Sequence, residues 1–176
     1  SYLLELLDES ARAGFIEEFN GLGLPGIVME TVPSVKCGVE GTRVHIKVDG
    51  AEEDEHMHDH HHAHHSHTHS HNGVAEIRHI VRDHIDLPGN VKVDILKVYD
   101  IIADAESRAH GVPVTEVHFH EVGTMDAIAD VTAVCLLIDR IKPQKILASH
   151  VNVGGGTVKC AHGILPVPAP ATANIL

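Results

Sequence analysis

A tract of histidines interrupts this chain and limits how the rest of it can fold. Ten histidines lie within sixteen residues, namely His56, His58, His60, His61, His62, His64, His65, His67, His69 and His71. The tract offers almost no apolar side chain, so burial cannot offset the entropy that ordering would cost. We therefore predict a disordered, His-rich loop over residues 51–73, with the fold built from the segments on either side.

The composition of the tract predicts metal binding. Neutral imidazole is the commonest protein ligand for borderline transition metals, and a mobile string of imidazoles suits many coordination geometries. We expect capture and transfer of Ni, Zn, Cu or Co, with an affinity that falls below about pH 6 as the imidazoles become protonated. An engineered affinity tag is the less favoured interpretation, because the tract is internal and contains Asp, Ala, Ser and Thr.

Composition and charge exclude several other classes. The 176 residues are 43% hydrophobic but only 3% aromatic, so the core must be aliphatic. A formal net charge of -12 without a Lys/Arg cluster argues against nucleic acid as a partner. No apolar window reaches the length of a membrane span, and we expect a cytoplasmic protein. Cys37, Cys135 and Cys160 form no CxxC pair, so neither a disulfide framework nor a thiolate zinc site is indicated.

Hydrophobic patterns before the tract, over residues 1–50, predict two short helices and two strands. The strands cover Ile27–Val35 and Gly41–Val48, where apolar and polar residues alternate as in half-buried strands. After the tract, over residues 74–176, the pattern is mainly helical. Helices are predicted over Ala75–Ile85 and Met125–Ile141, with a helix capped by Asn90 between them.

The helix that follows Asn90 and the helix over Met125–Ile141 should each present one apolar stripe to the core. The first stripe is Val91, Ile95, Val98, Ile102 and Ala105, and the second is Ile128, Val131, Val134, Cys135 and Ile138. A last strand is predicted over Lys145–Val153. We predict one α/β domain overall, with a mixed sheet packed by aliphatic helices.

The segment "VHFHEVGTMDAIAD" is the densest in chemically active side chains. A strand ending here would place both imidazoles on one face, and the two aspartates are four apart near the start of a helix. The candidate cluster is His118, His120, Glu121, Asp126 and Asp130. Imidazole with carboxylate can hold a divalent metal ion or act as a general acid and base. The structural alternative is a pair of core histidines with aspartates that stabilise a helix N-terminus.

The chain then runs through three glycines towards a proline-rich segment. Gly154, Gly155 and Gly156 are candidates for cradling a phosphate group, although three glycines also form ordinary hairpin turns. His162 precedes the rigid segment and is a further binding candidate. Pro170 is suited to open a short helix.

The tract, "AESRAHG", "VHFHEVGTMDAIAD" and "HGILPVPAPAT" together resemble the LarC family, the nickel insertase of the nickel-pincer cofactor pathway. The resemblance implies nickel insertion into pyridinium-3,5-bisthiocarboxylic acid mononucleotide, a lyase-class reaction that consumes CTP with a divalent cation such as Mg²⁺ or Mn²⁺. The resemblance also implies that the tract supplies nickel and that the cluster from His118 to Asp130 carries out the insertion. His110 and His162 are nearby candidates for a part in the same site.

The chain departs from the family pattern at both ends. Family members open with a strand and a glycine-rich stretch, and they continue into a second domain, to which CTP binding is mainly attributed. The resemblance therefore implies an N-terminal portion of a longer chain. The sequence leaves homo-oligomerisation open.

Two other functions fit the residues. The first is a non-catalytic storage or delivery protein for nickel or another transition metal, in which the tract is the whole function. The second is a metal-dependent hydrolase, with His118, His120 and Asp126 holding an ion that keeps a position open for water.

Overall fold

The computed structural model describes residues 2–52, 73–119, 122–160 and 163–176. The predicted loop lies almost entirely outside the described residues, as do His120, Glu121 and His162. Two short helices come first, α1 over Tyr2–Glu5 and α2 over Glu9–Asn20. The α/β class predicted from the sequence is confirmed.

Three strands form an antiparallel sheet in the order β1, β2, β3. They cover Ile27–Lys36, Val39–Val48 and Ala51–Glu52, so both predicted strands are confirmed. Cys37 and Gly38 form the turn between β1 and β2 with φ values of 51° and 78°. Positive φ at both central residues is typical of the tight hairpin turn whose twist matches that of the strands.

The first helix after the tract is α3 over Val74–His79, which continues as a π-helical turn over Ile80–His84. The long helix α4 follows over Gly89–His110. The prediction that Asn90 is its N-cap was wrong, because Pro88 occupies that position with an extended backbone. The side-chain nitrogen Nδ2 of Asn90 instead donates to Asp139 Oδ1 at 2.6 Å.

The buried face of α4 follows a spacing of four more closely than predicted. Its buried residues are Val91, Ile95, Tyr99, Ala103 and Ala105. Val98 and Ile102, which were predicted to belong to the stripe, are only half-buried. The phenol ring of Tyr99 takes the place that the alternating spacing assigned to Val98.

No strand forms over residues 117–119, where one was predicted to end. A 3-10 turn over Val114–Glu116 leads instead into an isolated antiparallel bridge between Gly73 and His118. The bridge cannot extend on the C-terminal side of Gly73, because the chain enters α3 at the next residue. The predicted alternation does hold: Val117 and Phe119 are buried and His118 is exposed.

Helix α5 has the predicted bounds, Met125–Ile141, but buries a different face. Its buried residues are Ile128, Ala129, Thr132, Ala133, Leu136 and Leu137, whereas Val134 is 42% exposed. Most of this helix is apolar, so the pattern alone could not select the face. Two alanines on the buried side allow neighbouring elements to pack closely.

The predicted strand over Lys145–Val153 was wrong. Its apolar residues Ile146 and Leu147 are exposed and no neighbouring strand pairs with them in the described part of the chain. A hairpin follows instead, formed by β4 over Thr157–Cys160 and β5 over Gly163–Pro166. The strands in both sheets are therefore antiparallel rather than mixed.

The last helix, α6 over Pro170–Ile175, begins at the predicted proline. It packs against α4, where Asn174 Nδ2 donates to the carbonyl oxygen of Ala105 at 3.0 Å. Of the helices that the structure describes, none combines the length and apolar character needed to cross a membrane.

Candidate metal-handling site

Tyr99 on α4 and two aspartates at the start of α5, Asp126 and Asp130, form what we call the Tyr-Asp cluster. The hydroxyl of Tyr99 and Oδ1 of Asp126 are buried, and neither has a hydrogen-bond partner among the described residues. Buried polar atoms in folded proteins nearly always have a partner, and an exception often marks a site completed by an ion or a ligand. These two oxygen atoms are therefore candidates for contact with an ion or a ligand.

Electrostatic interactions connect the three side chains. Burial raises the pKa of Tyr99 far above its ordinary value, and the charges of Asp126 and Asp130 raise it further. Desolvation also raises the pKa of Asp130, with a second contribution from the charge of Asp126. Carboxylates that repel each other in a partly desolvated place are the setting in which a divalent cation is stabilising.

Local sequence explains why the two carboxylates meet. Thr124 adopts an extended conformation as the N-cap of α5, and its carbonyl oxygen accepts from the backbone nitrogen of Ile128 at 3.1 Å. Asp126 thus lies in the first turn, where the helix dipole favours a negative charge. Asp130 is four residues further on, on the same side of the helix.

Phe119 connects the histidine motif to this cluster. Its buried ring packs against the ring of Tyr99, with the ring centroids 5.9 Å apart. His118, the preceding residue, has an exposed side chain and forms the backbone bridge to Gly73. Gly73 comes two residues after His71, the last histidine of the tract, so the bridge pairs the motif with a residue that is close to the tract in sequence.

The remaining candidates are not brought into this cluster by any contact that the structure describes. His120, Glu121, His162 and the tract from His56 to His71 lie outside the described residues. Within the described ranges, no three His, Cys, Asp or Glu side chains gather with the geometry of a metal site. His110 instead pairs with Glu106, at 3.3 Å between Nε2 and Oε2.

The three glycines form a turn that leads into β4. Gly154 and Gly156 have φ values of 74° and 91°. The backbone nitrogen of Gly154 donates to Asn152 Oδ1 at 3.0 Å, and the carbonyl oxygen of Gly156 accepts from Val167 at 3.0 Å. Phosphate binding at Gly154, Gly155 and Gly156 stays a prediction, with the amide of Gly154 already engaged.

Comparison with known proteins decides the family. The model of the family described as "Nickel insertion protein" matches residues 3–176. The chain belongs to the nickel insertion protein family. The resemblance drawn from the sequence motifs is thus confirmed.

Two relatives are named pyridinium-3,5-bisthiocarboxylic acid mononucleotide nickel insertion protein. The one from Clostridium kluyveri is 44% identical over 173 residues, which cover 97% of this chain and 39% of that protein. The one from Alkaliphilus metalliredigens is 34% identical over 173 residues, covering 97% of this chain and 41% of that protein. The chain therefore spans about two fifths of the length of these relatives. No solved structure matches it.

Sequence reasoning missed Tyr99 in this member of the nickel insertion family. The signal was available, since Val91, Ile95, Tyr99 and Ala103 recur at a constant spacing of four along α4. A tyrosine within such a stripe buries a hydroxyl, which normally needs a partner.

Proposed function

We propose that this chain is the metal-receiving part of a protein that inserts nickel into pyridinium-3,5-bisthiocarboxylic acid mononucleotide. The observation that carries this proposal is the bridge between Gly73 and His118, because Gly73 lies two residues after the last histidine of the tract in the sequence. The names of the relatives supply the substrate. The bridge holds the start of the segment that follows the tract next to His118, and we infer that an ion passes from the tract to the second set of side chains.

In this proposal the tract raises the local concentration of nickel, and the second set positions the ion for transfer. His118, His120, Glu121, Asp126 and Asp130 are the proposed working residues. Support comes from the Tyr-Asp cluster, where Asp126 keeps a buried oxygen without a partner in the described part of the chain. Gly154, Gly155, Gly156 and His162 are proposed to contact the phosphate of the mononucleotide.

Further parts of the proposal rest on the family resemblance. They are CTP consumption with Mg²⁺ or Mn²⁺, a lyase-type reaction, and a cytoplasmic location. We assign CTP binding mainly to the portion of the relatives that this chain does not match. Residues of this chain then act on the metal and on the mononucleotide.

The test is nickel transfer to the mononucleotide by the protein that carries this chain, followed by mass spectrometry of the product. Asp126→Asn keeps the size of the side chain but removes the charge that would hold a cation. We expect it to lower the insertion rate by about 100-fold, the upper end of the effect of groups that support a bound metal. Total nickel uptake should stay unchanged, because the ten imidazoles of the tract are intact.

Asp139→Asn is the matched control, because it makes the same change near the other end of α5. We expect this variant to insert nickel at the normal rate. If Asp126→Asn and Asp139→Asn both insert nickel normally, the Tyr-Asp cluster has no role in insertion. If no product forms even with the unaltered protein and CTP, the storage function is the better account.

A further inference from the structure

Two histidines outside the Tyr-Asp cluster meet at the end of the first helix after the tract. The Nε2 atoms of His79 and His84 are 3.2 Å apart, and the two rings are nearly perpendicular, at 88°. Nδ1 of His79 lies 2.6 Å from Oδ2 of Asp83. All three side chains are exposed to solvent. We call them the histidine pair and its carboxylate.

The π-helical turn brings the two histidines together. In an α-helix each residue is rotated by about 100°, so side chains five residues apart point about 140° away from each other. A π-helical turn, with its i to i+5 hydrogen bonding, places such residues one above the other. Such turns are rare and frequently occur at functional sites. The turn over Ile80–His84 therefore accounts for a contact that regular helix geometry forbids.

The distance between the two nitrogen atoms suits joint coordination of one ion. Imidazole nitrogens bind first-row divalent metals at about 2.0–2.1 Å, and ligand angles between 90° and tetrahedral place neighbouring nitrogens about 2.8–3.4 Å apart. The observed 3.2 Å falls within this interval. An ion at this position would replace the hydrogen bond between the rings without moving either side chain far.

Asp83 fixes which nitrogen of His79 is free. A carboxylate at Nδ1 keeps the proton there, so Nε2 of His79 carries a lone pair. In the metal-free pair, Nε2–H of His84 donates to that lone pair. When an ion binds, the proton of His84 moves to Nδ1, and both Nε2 lone pairs face the ion. A carboxylate behind a metal-binding histidine is the common arrangement that orients the ring and raises its basicity.

The surrounding structure holds the turn in place. Val81 and Ile85 are buried, at 0% and 2% exposure. Lys92 Nζ donates to the carbonyl oxygen of Arg82 at 2.8 Å, which ties the turn to α4. The backbone nitrogen of Asp86 donates to the carbonyl oxygen of Leu22 at 3.0 Å. The backbone that carries the two imidazoles is thus anchored before any ion arrives.

We propose that His79 and His84 form a two-imidazole binding site for a divalent transition metal ion, with Asp83 as the residue that positions His79. Water fills the remaining coordination positions, so the ion exchanges readily. The pair lies one six-residue helix from Gly73, a rise of about 8 Å along the helix axis. The pair is therefore close to the end of the tract along the chain. The proposal rests on the proposed function only for the choice of nickel.

The test measures nickel binding by calorimetry at pH 7.5 on the full chain, with the ten histidines of the tract replaced by serine. This change removes the background of the tract, whose ten imidazoles would hide a single weaker site. We expect one nickel ion to bind, at the histidine pair, because the Tyr-Asp cluster has no third metal-ligating side chain among the described residues and holds an ion only together with the mononucleotide. His79→Ala and His84→Ala should each abolish binding, and Asp83→Asn should weaken it about tenfold. His150→Ala, which removes an exposed histidine elsewhere, is the matched control and should bind normally.

The proposal is overturned if the serine-substituted chain binds no nickel, or if binding survives in the His79→Ala, His84→Ala double variant. Loss of binding with Asp126→Asn instead would assign the ion to the Tyr-Asp cluster and also overturn it. An insertion assay separates the two proposals. Nickel bound at the pair without any insertion contradicts the proposed function alone, whereas normal insertion without binding at the pair contradicts this inference alone.

Discussion

The Tyr-Asp cluster and the histidine pair, the two places where we propose that an ion binds, differ in burial and in hydrogen bonding. The cluster buries the Tyr99 hydroxyl and an Asp126 oxygen without a partner in the described structure, whereas each imidazole of the pair is exposed and hydrogen-bonded. A buried polar atom without a partner costs the fold about 1–3 kcal/mol, while an exposed pair costs almost nothing. The proposed binding of an ion at the cluster therefore comes at the expense of stability, whereas the proposed binding at the pair does not.

This difference indicates which of the two proposed sites would hold an ion tightly and which would exchange it rapidly. An ion that enters the Tyr-Asp cluster would relieve the repulsion between Asp126 and Asp130. It would also give the two buried oxygen atoms a partner, so two effects would favour its binding. An ion at the histidine pair replaces a hydrogen bond that already exists and stays open to water. Tight placement fits the first region and rapid exchange fits the second. The predictions below test this contrast through stability.

The largest difference between the two regions should be in the unfolding free energy lost when an aromatic side chain is truncated to alanine. Phe119→Ala removes a buried ring that packs against Tyr99, and such changes cost about 3–5 kcal/mol of unfolding free energy. His84→Ala removes an exposed ring and should change stability by no more than about 0.5 kcal/mol. Urea denaturation of both variants measures this. Equal losses would show that the two regions do not differ in packing as described.

Tyr99→Phe should have the opposite sign. It removes a buried hydroxyl without a partner in the described structure but keeps the ring, so we expect the unfolding free energy to rise by about 1 kcal/mol. Nickel insertion should fall in the same variant if the hydroxyl contacts the ion or the substrate. Tyr2→Phe is the matched control, because Tyr2 is 81% exposed. A loss of stability in Tyr99→Phe would mean that the hydroxyl has a partner.

A smaller effect is expected from pH. Desolvation and the charge of Asp126 raise the pKa of Asp130 above the ordinary value of 3.8, so the folded state holds this proton more tightly than the unfolded state. The resulting stability is complete below the ordinary pKa and is lost as pH rises through the raised pKa. Asp130→Asn should therefore gain stability relative to the unaltered chain above that interval. Denaturation midpoints at pH 4 to 7 test this, and a difference that does not change with pH would contradict it.

The sequence predicted the parts of the fold that depend on local patterns. Helix α5 has its predicted bounds because Gly123 and Thr124 precede an uninterrupted helical run, and both strands of the first hairpin alternate clearly. The strand over Lys145–Val153 failed because an alternating or apolar segment becomes a strand only when another strand is available to pair with it. The presence of a partner strand cannot be read from local sequence. In the described part of the chain no strand pairs with this segment, and Ile146 and Leu147 are exposed.

The candidate site was predicted in composition better than in geometry. Asp126 and Asp130 share a side of α5 because spacing within a regular helix fixes direction. His79 and His84 were overlooked for the same reason, since five residues in a regular α-helix separate two side chains. Only the π-helical turn brings them together, and no residue pattern in the segment announces such a turn. Tyr99 was overlooked because periodicity counts it as one more apolar residue.

The smallest effect should be the difference in alkylation between two cysteines, and it reports on the cluster region directly. Burial raises the pKa of the Cys135 thiol on α5, and the charge of Asp94 raises it further. A raised pKa leaves less thiolate, the reactive form, so iodoacetamide at pH 8 should modify exposed Cys37 before Cys135. Mass spectrometry of the peptides follows both sites.

Phe119→Ala should speed the labelling of Cys135 by loosening its surroundings, whereas His84→Ala should not. Equal acceleration in both variants would show that the cluster and the pair open together, and the contrast between them would fail.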